Sequence, residues 1–160
     1  MPEFAMETKG LPEVKFAKGA LLLEEGKRAK GVYVLKDGAV AVLIAQKEIC
    51  KVNDALAIFG EMSVLLDSEA TATVVAESDC TCYFIKDLMA HLRGNPDAAL
   101  HVAQVMALRI ANMNTAYIEI KNDIAKLQKL QDGKVKSKLG DLMAKMDKFW
   151  GQEIWKSPAK

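Results

Sequence analysis

"FGEMSVLLDSEATATVV", residues 59–75, sets a Phe-Gly-Glu triplet before a short apolar run, a polar loop, and then alternating small and β-branched residues. A glycine ahead of a helical turn lets backbone come close to an anion, and the free N–H groups of that turn point toward it. Glu61, beside the glycine, is placed to accept from a sugar hydroxyl. The loop that follows contains no Lys or Arg. The stretch therefore has the frame of a site for a phosphorylated ligand without the cation such a site needs.

Working outward, residues from about Val14 to Ile85 carry all-β punctuation, with short apolar runs separated by Gly, Asp and Asn. "GVYVLKDGAVAVLIA" predicts a hairpin: Val32 and Val34 alternate with Tyr33 and Leu35, Asp37-Gly38 supplies a tight turn, and Val40 to Ala45 returns. A strand around Ala20 to Glu24 precedes it. "KEICKV", "TATVVAES" and "CTCYFI" supply three more. Strands at this spacing predict a small barrel or jelly roll.

The period changes near Lys86. Asn95 is a plausible N-cap, with Pro96 at the first helical position and Asp97 in the first turn, where the helix dipole favours an acid. From there a helix can run to Gln131. Val102, Met106, Ile110, Met113, Tyr117, Ile120, Ile124 and Leu127 are spaced 4, 4, 3, 4, 3, 4, 3, close to a heptad seam. Two readings of that stripe stand: a coiled-coil seam between two chains, or a helix packed on its own β unit. A second helical pattern follows Asp132-Gly133, with Val135, Leu139, Leu142, Met146 and Phe149 spaced 4, 3, 4, 3. So narrow a stripe needs a surface to dock on, expected to be the β unit or a partner's long helix. The predicted organisation is a flexible N-terminus (1–13), a β-roll (14–94), a long dimerisation helix (95–131), and a short terminal helix with a tail (132–160).

Composition narrows the function classes. Twenty-two Lys and Arg against 21 Asp and Glu leave a formal charge of +1, which marks no basic nucleic-acid surface. No apolar run is long enough to span a bilayer, and the N-terminus has no secretory pattern, so a cytoplasmic protein without membrane contact is expected. Cys80 and Cys82 share a strand face, which reads as a metal pair or as buried strand cysteines; with no Cys or His close by, the latter is preferred. His91 and His101 lack a partner acid at i+3 or i+4, and no nucleophile, metalloprotease, Walker or dinucleotide motif occurs, so an enzyme is not expected.

The order "GALLLEEG", "GVYVLKDGAVAV", "FGEMSVLL", "ATVV", "DCTCYFI", then a long helix, resembles the cyclic nucleotide-binding domains of the catabolite activator protein family and of related channels and kinases. Phe59, Gly60, Glu61, Met62, Ser63, Leu65, Ala72, Thr73 and Val74 match that family's phosphate-binding cassette at unshifted spacing. The resemblance implies a mainly β fold with helices, a β-roll or jelly roll of the cyclic nucleotide-binding type followed by a long C-terminal helix. It also implies a ligand site at Gly60, Glu61, Met62, Ser63, Thr71 and Ala72, with Glu61 on the ribose 2′-OH and Thr71 near phosphate or base. The family pattern sets an arginine where this chain has Ala70, after Glu69 in place of proline. Losing one partner of a buried charge pair costs on the order of 3 to 5 kcal/mol. The chain's three arginines, Arg28, Arg93 and Arg109, lie outside the cassette in sequence, leaving Lys27, Lys30 or a partner chain as sources of charge.

The resulting expectation is a non-enzymatic regulatory module with a degenerate cassette. It dimerises through Met106, Ile110, Met113, Tyr117, Ile120, Ile124 and Leu127, and its cyclic nucleotide binding is weak, altered or lost. The alternative is a true cAMP or cGMP sensor whose ligand repositions the long helix to control a partner protein. No cofactor beyond a cyclic nucleotide is implied. With 29 residues after Gln131 and no helix-turn-helix pattern, direct DNA binding is not expected.

Overall fold

The chain leaves Gly38 with φ +90, and a Cβ there would lie 2.5 Å from the Asp79 carbonyl oxygen. That corner organises the first of two compact units, which divide after Val102. The computed structural model describes residues 8–130 and 133–148. Eight strands form two antiparallel four-stranded sheets: β1 (Glu13–Phe16), β2 (Leu21–Leu23), β3 (Val32–Asp37), β4 (Val40–Ile44), β5 (Lys47–Val52), β6 (Ile58–Phe59), β7 (Thr73–Ala76) and β8 (Cys80–Ile85). One sheet has the order β1-β8-β3-β6 and the other β2-β7-β4-β5. This is the jelly roll expected of the sequence.

The expected hairpin across Asp37-Gly38 is not one. β3 pairs with β8 and β6, whereas β4 pairs with β7 and β5, so the turn carries the chain from one sheet to the other. The β7–β8 connection makes the same crossing beside it: Ala39 N–H donates to Ser78 Oγ at 3.0 Å, and Glu77 N–H donates to the Ala39 carbonyl at 2.9 Å. The hairpin in this region is β4–β5, turned at Ala45 and Gln46, both with positive φ. Between the sheets pack Leu22, Leu23, Leu35, Val40, Phe59, Val74 and Cys82. Cys80 and Cys82 are both buried, and burial pushes the Cys82 thiol up to about 12. Among the described residues no group of three side chains is arranged to hold a metal ion.

Three helices complete this unit. α1 (Glu61–Leu65) follows β6, and α2 (Leu88–Gly94) is capped by Asp87, whose side chain accepts from Ala90 N–H at 2.9 Å. α3 (Pro96–Leu130) starts as expected, with Asn95 Oδ1 accepting from Ala98 N–H at 3.1 Å and Asp97 in the first turn. Its first turns belong with the roll, where Ala98 and Val102 are buried.

In the second unit, α4 (Gly133–Lys148) lies against α3 of its own chain, a third option beside the two surfaces expected for it. Asp147 accepts from the Tyr117 hydroxyl at 2.6 Å and from Lys121 Nζ at 2.7 Å. Ile124 is buried, and Gln128 comes within 3.6 Å of where a Cβ on Gly140 would stand. The half-buried face of α4 carries Leu139, Met143 and Met146, while Val135 and Leu142 are exposed, so the predicted stripe is rotated by one position at its centre. Phe149, Gln131 and Asp132 lie outside the described residues. No helix among those described is long and apolar enough to cross a membrane.

Candidate functional site

The cassette begins where β6 delivers the chain to Gly60. Ile58 and Phe59 are buried and pair with Val34 and Tyr33 of β3, which fixes the position of the next residue. Gly60 has φ +92, and a Cβ there would stand 2.9 Å from the Gly31 carbonyl oxygen. Only glycine fits. α1 starts at once, with Glu61 in its first turn and only 2% exposed. Ser63, also buried, donates through Oγ to the Ser68 carbonyl and accepts from Ala29 N–H at 3.2 Å. Its hydroxyl therefore ties the cassette loop to the β2–β3 loop. Met62 is turned outward, Thr71 is exposed and Ala72 is half-buried.

Ala70 occupies the position that matters most. Its side chain is buried at 7% exposure, and both of its backbone groups are taken: Ala70 N–H donates to the Lys27 carbonyl, and Gly26 N–H donates to the Ala70 carbonyl, each at 2.9 Å. The same two segments meet at Thr73 Oγ1, which accepts from Glu25 N–H at 3.0 Å. Residues 25–29 thus line the cassette from Thr73 back to Ser63.

Arg28, one of the arginines outside the cassette in sequence, comes to it in space. Its Nη1 donates to the Asp67 carboxylate and its Nη2 to the Asp67 carbonyl at 3.1 Å. The signal available in the sequence was the basic turn "GKRAKG" between two strands, but nothing local says which loop it faces. Lys27 pairs with Glu24 at 2.7 Å. Lys27, Arg28 and Lys30 rim a cavity of about 350 Å³ whose apolar wall is β2 and Tyr33. The Tyr33 phenol is held above its ordinary value, first by burial and then by Cys82, and its ring packs edge-on against Phe16 at 5.4 Å. A second cavity, of about 460 Å³, lies between Glu24, Glu25, Leu43, Gln46 and Thr73. None of the six residues expected to bind ligand lines either cavity. The structure brings Gly60, Glu61 and Ser63 together at the start of α1.

The predicted interface residues divide. Ile110, Met113, Ile120 and Leu127 are exposed, Met106 is half-buried, Ile124 is buried, and Tyr117 is engaged by α4 of the same chain.

Residues 13–88 match the family model of the cyclic nucleotide-binding domain. Of the solved structures, Thermus thermophilus catabolite activator protein is similar with a TM-score of 0.60, 19% identity and coverage of 91% of this chain and 81% of that one. A structure described as Sp-2Cl-cAMPS bound to PKAR CBD2 has a TM-score of 0.55 and 19% identity, over 69% of this chain and 71% of that one. Both establish the fold. In sequence, the cGMP-dependent protein kinase of Eimeria tenella is 34% identical over 89 residues, 55% of this chain and 9% of the kinase. The cGMP-dependent protein kinase of Plasmodium berghei (strain Anka) is 31% identical over 86 residues, 53% of this chain and 10% of the kinase. The chain thus spans a small fraction of the curated relatives it matches.

Proposed function

We propose that this chain is a non-enzymatic regulatory module of the cyclic nucleotide-binding fold, homodimeric through the exposed face of α3, in which cyclic nucleotide binding is weak or altered. The observation that carries the reading is Ala70, whose buried methyl group takes the arginine's place while its backbone is committed to residues 26 and 27. A cyclic phosphate brought there would be desolvated without a charge-assisted partner, a loss on the order of 3 to 5 kcal/mol, or roughly a hundred- to several-thousandfold in affinity. The Ser63 hydroxyl is used in closing the loop. Calorimetric titration with cAMP and cGMP tests this. Wild type is expected to bind more weakly than micromolar, Ala70→Arg to bind more tightly, and Glu61→Ala in that background to weaken binding again. Micromolar or tighter binding by the wild type would overturn the proposal.

One set of observations favours the alternative sensor reading. The curated relatives are cGMP-dependent kinases, and Glu61 is retained, buried, where the family resemblance sets the ribose contact. In that reading the ligand must bind two positions of the long helix with different affinity.

A further inference from the structure

We propose that the basic β2–β3 loop forms a second ligand site, beside the cassette, that takes a phosphomonoester carried on a flat apolar body of nucleoside-monophosphate size. The cavity of about 350 Å³ is at the low end of the range for small-molecule sites. Its two walls differ in chemistry. Leu21, Leu23 and the Tyr33 ring form an apolar side, with Leu21 largely exposed for a residue of its kind. Lys27, Arg28 and Lys30 form a cationic rim, with Glu24 paired to Lys27 and Asp67 to Arg28.

These cations are fixed to different degrees. Asp67 engages Nη1 and Nη2 of Arg28, which orients the guanidinium and leaves its remaining donors available. Lys30 is exposed and has no ion-pair partner among the described residues. The loop backbone beneath them is anchored by the Lys27–Ala70 and Ala29–Ser63 hydrogen bonds, so the rim is held in place before a ligand arrives. An oriented guanidinium beside an ammonium suits a dianionic phosphate better than the monoanion of a cyclic phosphodiester. The Tyr33 phenol, held above its ordinary value by burial, stays a hydrogen-bond donor at neutral pH.

The test is calorimetric titration of the full chain with adenosine 5′-monophosphate, inorganic phosphate and cAMP. The mononucleotide is expected to bind at least about tenfold more tightly than either of the others, and more weakly as salt rises. Lys30→Glu, at an exposed unpaired position, should cut its affinity by about tenfold or more with the unfolding midpoint unchanged, and Arg28→Glu, which also breaks the contact with Asp67, should cut it by about tenfold or more. Ala70→Arg should leave mononucleotide affinity unaltered whatever it does to cAMP, which separates this site from the cassette. Absence of mononucleotide binding at millimolar concentration, equal affinity for inorganic phosphate, or indifference to Lys30→Glu would each overturn the proposal.

Discussion

In the β-roll, large apolar side chains are put away: Leu35, Ile58 and Leu88 have no exposed surface. On α3 beyond Val102 the same residue types face outward, with Leu108, Ile110, Met113, Ile118 and Ile120 each more than half exposed. The contrast separates two reasons for an apolar residue to be present. In the roll each one closes a core between sheets, whereas on the helix a row of them gains nothing until another surface covers it. α4 engages the row at Tyr117, while Ile110, Met113, Ile120 and Leu127 stay exposed.

That contrast is broken or sharpened most strongly by truncating one residue on each side. Leu35→Ala should lower stability by about 2–5 kcal/mol, as expected for a leucine removed from a packed interior. Ile110→Ala, studied at concentrations where the chain is monomeric, should stay within about 0.5 kcal/mol of wild type. Chemical denaturation measures both. Equal costs would mean that the helix face is part of a core.

A smaller effect is expected on association. Ile120→Lys places an ammonium in the uncovered row and should raise the dimer dissociation constant about tenfold or more, about 1.4 kcal/mol, with little change in monomer stability. Sedimentation at tens of micromolar reads this directly. A wild-type monomer under those conditions would break the proposed use of the row.

Particular residues show what was legible before the structure. Gly60, Glu61 and the strands around them could be read because glycine punctuation and alternation are local signals, and Asn95 could be read as a cap for the same reason. The sheet assignment of β3 and β4 could not. Asp37-Gly38 makes a tight turn whether the chain folds back into one sheet or crosses to another, and that choice was made by Ser78 and Asp79 far along the chain. Arg28 was set aside because it lies 39 residues from Asp67, although the two loops meet. The division of the α3 row escaped notice because a 4, 3, 4, 3 spacing does not say which residues another helix of the same chain will claim.

The smallest expected effect concerns that division. Asp147 accepts from Lys121 and from the Tyr117 hydroxyl, and these bonds, Lys121's first, hold its carboxyl below the ordinary value of 3.8. A depressed carboxylate contributes stability above its unfolded value, and that contribution is lost as pH falls through the lower folded value. Lys121 is raised above 10.5, chiefly by its hydrogen bond to Asp147, so its contribution is present below 10.5 and is lost as pH rises through the higher folded value. The α3–α4 contact should therefore hold between these limits and loosen outside them. Because the pair is exposed, salt should weaken it and the change should be modest. Tyr117 ring resonances followed by NMR against pH give the test. In wild type they should shift in acid below 3.8, and Asp147→Asn should abolish that acid transition while leaving the β-roll signals in place. A Tyr117 transition that persists in Asp147→Asn would mean that another carboxylate holds the two helices together.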